Sequence, residues 1–259
     1  MRELLDAVAA GDLSPAEAEA ELRGYATGEA GRFDAAREQR RGVPEAVFGE
    51  GKTPGEVAEL VDTAVETTGR GIATRVDGEQ VAAVRERLAE RHPDADVEHR
   101  ERSAVLVAHG AEFKPPGLDA TVRIVTGGTA DRGPAGEAAA VASEMGATVD
   151  LIEDVGVASI VRMLDRVDDI RAADVAIVAA GREGALPTVV AGLVDTPVIG
   201  LPVASGYGHG GEGEAALAGT LQSCTVLSTV NVDAGFVAGA QAGLIARSIE
   251  VSAETKNDS

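Results

Sequence analysis

From about residue 120 onward the chain repeats one unit, and that repeat leaves little choice of fold. Short apolar runs at 121–126, 148–152, 174–180 and 197–203 alternate with helical stretches near 134–146, 157–170 and 186–194. Strands that are apolar throughout need cover on both faces, and intervening helices supply it, so the pattern predicts a parallel sheet with helices on both sides. A last helix is expected from about 235 to 250. In such a sheet ligands collect at the carboxyl ends of the strands. The loops there read TGGTAD from Thr126, EDVGV from Glu153, AGREGALP from Ala180 and ASGYG from Ala204. Glycines at loop and helix starts let backbone N–H groups approach a phosphate closely, which points to a nucleotide or sugar-phosphate ligand. Glycine turns of this kind also occur in sheets with no phosphate ligand.

The first part of the chain reads differently. Ser14-Pro15-Ala16-Glu17 and Thr53-Pro54-Gly55-Glu56 are both capping boxes with proline at the first helical position. The helix after Thr53 should bury Val57, Leu60, Val61, Ala64 and Val65, which recur at helical spacing. Strands at 71–76 and 103–108 flank a helix near 78–91. These elements make a smaller α+β domain over 1–117, joined through a linker at 112–118 to a sheet domain over 118–251. The polar stretch 252–259 is expected to be a disordered tail.

Composition narrows the function. Forty-three acidic residues against 23 basic ones give a net charge of −20, which would repel the phosphates of nucleic acid or an anionic membrane. No apolar run approaches the roughly 18 residues of a membrane span, and the N-terminus is too acidic for a signal peptide, so a cytoplasmic protein is expected. One cysteine allows no internal disulfide, and 2% aromatics leave few platforms for stacking single-stranded bases. Only three lysines occur (Lys52, Lys114, Lys256). Abundant acid with scarce lysine keeps a surface hydrated in concentrated salt and predicts a halophilic host.

Several familiar motifs fail on context. Gly206-x-Gly208-x-x-Gly211 matches the dinucleotide fingerprint, but it follows a late strand, and Glu212 and Glu214 come too early to serve as its acidic partner. Gly51-Lys52-Thr53 hints at a phosphate loop, yet Ala46 stands where the earlier glycine belongs. His92, His99, His109 and His209 are too scattered for a histidine-based metal site, so no metal ligand is assigned. A Mg²⁺ shared with a ligand phosphate would leave no such spacing and stays open. No GxSxG serine pattern occurs. Cys224 is the informative residue. A lone cysteine is ordinarily a small apolar side chain. This one follows the glycine loop among polar neighbours, near helix ends and with His209 close in sequence, a setting that favours a nucleophilic thiolate.

Residues 121–249 resemble the PurE family of aminoimidazole ribonucleotide carboxylases and mutases, through TGGTADRGPAGEAA, DVAIVAAGREGALPTVVAGL and TPVIGLPV. That resemblance implies a doubly wound, flavodoxin-like sheet and an octamer with sites built between subunits. The alanine- and glycine-rich helices near 135–147 and 235–244 also suit close packing between copies. The PurE enzymes carry a catalytic histidine in the loop after the second strand; here that loop, 153–159, has none.

The whole chain more closely resembles the LarB family, carboxylases of nickel-pincer nucleotide biosynthesis. The residues concerned are FDAAREQRRGVPEAVFG from Phe33 through Lys52-Thr53, then GREGALP from Gly181. Ser205-Gly206-Tyr207-Gly208 with Gln222-Ser223-Cys224 and VNVDAGF from Val230 complete the match. Ala234 stands where that family has asparagine, and Val237 where it has glycine. This resemblance implies carboxylation of the pyridinium ring of nicotinic acid adenine dinucleotide (NaAD) at C5 by CO₂, with hydrolysis of the phosphoanhydride. Pyridinium-3,5-biscarboxylate mononucleotide and AMP would result, without an organic cofactor.

Under that reading Cys224 is the nucleophile and Glu183 the base, or else Glu183 merely caps the helix that follows it. Gly127, Gly128, Thr129 and Asp131 would hold ribose and phosphate. Gly156, Val157, Gly181, Arg182, Gly184, Ala185, Ser205, Tyr207, Gly208, Asn231 and Asp233 would complete the substrate site. Arg37, Arg40, Glu45 and Lys52 either reach the ligand or fold their own domain. The alternatives are a purine-type carboxylase or mutase, and a non-catalytic nucleotide-binding module in which Cys224 is unreactive.

Overall fold

Thr53 and Asp77 each start a helix, and those two helices organise the first part of the chain. The computed structural model describes residues 2–11 and 14–257. The chain divides into two units, Met1–Lys114 and Pro115–Ser259. In the first, α1 (Arg2–Ala10) and α2 (Pro15–Arg23) precede a hairpin of β1 (Ala26–Gly28) and β2 (Gly31–Phe33). There follow α3 (Arg37–Arg41), β3 (Val47–Phe48), α4 (Pro54–Thr68), β4 (Arg70–Thr74), α5 (Gly78–Arg91), β5 (Asp96–Arg100) and β6 (Val105–His109). The larger sheet runs β3-β4-β6-β5, with β3 and β4 parallel and the other pairs antiparallel.

Capping boxes fix both organising helices. The Thr53 N–H donates to Glu56 at 2.7 Å while the Thr53 hydroxyl oxygen accepts the Glu56 N–H. Asp77 and Gln80 repeat the arrangement at the head of α5. All five residues expected at helical spacing in α4 are buried. Most of them pack with Val81, Val84 and Leu88 of α5 over Ala73, Leu106 and Ala108 of the sheet. The strand expected at 71–76 stops at Thr74 because Arg75 turns into the left-handed region, φ +55°. The strand expected at 103–108 begins at Val105, after a tight turn at Glu101–Ser103.

The second unit contains β7 (Thr121–Thr126), α6 (Arg132–Glu144), β8 (Thr148–Ile152), α7 (Ile160–Leu164), α8 (Val167–Arg171), β9 (Val175–Ala180) and α9 (Ala185–Ala191). It ends with β10 (Val198–Pro202), α10 (Glu214–Leu221), β11 (Ser228–Thr229) and α11 (Gly235–Asn257). Its five strands are all parallel in the order β8-β7-β9-β10-β11. This is the expected doubly wound sheet, in the flavodoxin-like order, and it reverses direction between β7 and β9. Side chains alternate across it. Val122, Ile124, Ile177 and Ile199 pack under alanines of α6 and α11, while Val125, Ala176, Val178 and Val198 meet Met163, Ile170, Leu186 and Val190 on the other face.

Two expectations are corrected. The helix expected over 157–170 is broken into a turn, α7 and α8. α11 continues to Asn257, through most of the stretch expected as a disordered tail, because neither glycine nor proline interrupts the backbone after Gly243. Residues 258–259 lie outside the described residues. Among the described residues no helix is long and apolar enough to cross a membrane.

Candidate active site

A pocket of about 660 Å³ opens at the carboxyl edge of the five-stranded sheet, over the switch between β7 and β9. Its wall comes from the loops that follow four strands. Gly127, Gly128, Thr129 and Asp131 follow β7, and Gly156 and Val157 follow β8. Gly181, Arg182, Glu183 and Ala185 follow β9, and Ser205 and Tyr207 follow β10. Asp154 and Leu186 also line it and are not singled out by sequence reasoning. Gly184, Gly208, Asn231, Asp233 and Cys224 do not line it.

Asp131 holds this edge together. The side chain is only 4% exposed, and its carboxylate accepts the Gly128 N–H at 2.7 Å and the Ser205 hydroxyl at 2.9 Å. The N–H groups of Gly127 and Gly181 also donate to it. One carboxylate therefore ties the loops after β7, β9 and β10. Burial pushes its pKa up, and the hydrogen bonds oppose that shift. The Gly127 N–H bonds Ala179 as well, at 3.0 Å. Two amides expected to cradle a phosphate are thus already engaged inside the loop.

Asp233 braces the β10 loop from outside the pocket, accepting the Ala204 N–H at 3.0 Å. Asn231 accepts the N–H of its neighbour Val232 at 2.9 Å. Gly184 has φ +65° and starts α9, with its Cα pressed on the backbone of Ala216 in α10. Alanine there combines backbone strain with a steric clash. Gly184→Ala is expected to cost about 2 kcal/mol or more in urea unfolding; an unchanged midpoint would mean that α10 does not pack as described.

Glu183 lines the pocket but is exposed, not half-buried as its role as a tuned base would prefer. The residue at the head of α9 is Gly184, which has no side chain to cap the helix. Arg182 and Tyr207 meet at the pocket, with the guanidinium carbon 3.9 Å from the ring centre and Nη2 donating to the phenol oxygen at 2.7 Å.

Cys224 is exposed and sits in the connection between α10 and β11. Because β11 runs parallel to β10, with Ser228 beside Ile199, the residues before Ser228 lie at the amino edge of the sheet. Thr225 lies beside α9, its hydroxyl donating to the Thr188 carbonyl at 3.4 Å. His209 lies in the connection between β10 and α10, at the carboxyl edge.

Among the described residues no three His, Cys, Asp or Glu side chains converge to hold a metal ion. The signature residues of the first unit bond within it: Arg37 to Glu45 at 2.6 Å, Arg40 to Asp34 at 2.7 and 2.9 Å, and Lys52 to the Phe48 carbonyl at 2.7 Å. The two departures from the family pattern lie outside the pocket wall, Ala234 against the sheet core and Val237 half-exposed on α11.

Fold and pocket define a doubly wound α/β domain with its ligand site at the topological switch. Residues 121–258 match the AIR carboxylase family, and residues 25–110 match the LarB/PurE-like N-terminal domain. The chain belongs to the AIR carboxylase family, in the two-domain LarB architecture. An uncharacterised protein of Methanocaldococcus jannaschii is 35% identical over 254 residues, spanning 95% of this chain and 97% of that protein. Similar solved structures include PurE from Treponema denticola, at 21% identity and TM-score 0.41 over 53% of this chain and 92% of that one. A single-site variant of Treponema denticola PurE2 is 23% identical, with TM-score 0.39 over 53% and 91%.

Proposed function

We propose that the protein carboxylates the pyridinium ring of NaAD at C5 and cleaves its phosphoanhydride, giving pyridinium-3,5-biscarboxylate mononucleotide and AMP. The observation that carries this reading is a nucleotide-sized pocket of four glycine-bearing loops in a chain of LarB architecture. A pyridinium is electrophilic, so C5 does not attack CO₂ unaided. Addition of the Cys224 thiolate beside the ring nitrogen turns the ring into an enamine, and C5 becomes nucleophilic. C5 then bonds the carbon of CO₂, a base takes the C5 proton, and expulsion of the thiolate restores aromaticity.

In a single chain the thiol stands at the wrong edge of the sheet for this chemistry. The reading therefore includes assembly, as an octamer, with the thiol for each pocket supplied by a second copy. Glu183, exposed on the pocket wall, is the base. Glu183→Gln should slow carboxylation by about 10²-fold or more; an unchanged rate and pH profile would remove it from that role. Incubation with NaAD and bicarbonate, with products identified by mass, tests the reaction itself. The absence of Cys224 from the pocket wall of one chain favours one rival, a non-catalytic nucleotide-binding module, which predicts that NaAD is recovered intact.

A further inference from the structure

Arg182 is the one cation among the pocket-lining residues, which also include the acids Asp131, Asp154 and Glu183. Neighbouring arginines are neutralised. Arg162 pairs with Asp154 at 2.8 Å, and Arg132 with Glu153 at 3.0 Å. Arg182 has no carboxylate partner among the described residues, although Glu183 is adjacent in sequence. Its guanidinium carbon lies over the Tyr207 ring instead, and Nη2 donates to the phenol oxygen.

The two loops are built to bring this pair together. Gly206 packs on the backbone of Arg182, where a Cβ would lie 3.2 Å from the Arg182 nitrogen. Arg182 itself holds φ +52°, a left-handed conformation that a non-glycine residue adopts only under constraint from its surroundings. The ring covers a face of the guanidinium and the phenol takes one N–H, which leaves other N–H groups for a planar carboxylate, the partner a guanidinium fork matches in two parallel hydrogen bonds.

We propose that Arg182, presented by Tyr207, reads the ring carboxylate of the ligand and so distinguishes a carboxylated pyridinium nucleotide from its carboxamide counterpart. This rests on the nucleotide reading above and adds its specificity. Glu183, exposed on the pocket wall, suits a cationic ring, and the pocket's single cation suits an anionic substituent on that ring. A carboxamide offers the guanidinium one oxygen and turns an NH₂ donor against its other N–H groups, so rejection is built in along with recognition. A phosphate would satisfy the same cation, and the test separates the two sources. Tyr207 is a positioning residue, acting through Arg182.

NaAD and NAD carry identical phosphates and differ at the ring substituent. Both are titrated calorimetrically into the full-length wild type and into Arg182→Gln, Arg182→Lys, Tyr207→Phe and Tyr207→Ala. The wild type should prefer NaAD. Arg182→Gln should weaken NaAD by about 10- to 100-fold, as expected for loss of a charge-assisted pair, and leave NAD within about twofold, so the preference collapses. Arg182→Lys should recover only part of it, because an ammonium lacks the fork. Tyr207→Ala should erode the preference more than Tyr207→Phe, which keeps the stack. Equal losses for both ligands would assign Arg182 to phosphate and overturn the proposal, as would no loss at all. A wild type that binds neither dinucleotide would sink the nucleotide reading itself. Selective binding without turnover would sink the reaction and leave this assignment standing.

Discussion

Replacing Cys224 with alanine is expected to abolish carboxylation of NaAD while leaving unfolding and NaAD affinity close to wild type. The side chain is exposed, and removing one sulfur from a surface loop takes nothing from the core. Loss of the nucleophile removes the only route that makes C5 electron-rich. The decisive form of this experiment uses two variants. Cys224→Ala keeps an intact pocket and Glu183→Gln keeps an intact thiol, so each alone is impaired. If thiol and pocket come from different copies, hybrid assemblies contain some sites with both groups intact. Equal mixing should restore roughly a quarter of wild-type activity when one copy gives the thiol and another the pocket. The assay belongs in molar salt, where the −20 charges per chain are screened and assembly is least opposed. No recovery in hybrids verified by mass would defeat the shared site. Full turnover by Cys224→Ala alone would end the covalent mechanism.

The parallel sheet was legible because β9 and β10 are buried on both faces and read as unbroken apolar runs. Most of the pocket wall followed from the same fact, since the ends of such strands locate the loops. β8, at the sheet edge, mixes exposed and buried residues and gave a weaker signal. The two- and three-residue strands β1, β2, β3 and β11 exist through pairing, and no periodicity can announce so short a segment. The position of Cys224 was misleading for a physical reason. It lies fewer than twenty residues beyond Ser205, but α10 intervenes, and spacing in sequence does not show that its connection to β11 leaves Cys224 outside the pocket wall. Asp131 was legible as a pocket residue but not as a clasp. Sequence places a carboxylate in a loop without saying whether it faces a ligand or the amides of its own and neighbouring loops.

Asp131→Ala is expected to be the costliest single change in the pocket. It strips the acceptor from the Gly128 N–H and the Ser205 hydroxyl and unties three loops at once. Each buried donor left without a partner costs about 1–3 kcal/mol, so a loss of about 2–5 kcal/mol is expected in urea unfolding, together with loss of NaAD binding. Asp131→Asn keeps the shape and one acceptor oxygen and should cost less. The two side chains should also differ in pH dependence. Burial, the largest influence on Asp131, raises its folded-state pKa above the unfolded value near about 3.9. Between those two values the folded protein holds the proton more tightly than the unfolded chain. The corresponding stabilisation is fully present below the unfolded pKa and is lost as pH rises through the folded one. The asparagine variant has no such proton, and the remaining acids titrate alike in both proteins, so they cancel in the difference. Wild-type stability minus that of Asp131→Asn should therefore fall as pH rises across this window and level off above it. A difference that is flat there, or that rises, would mean that the hydrogen bonds outweigh burial at this carboxylate.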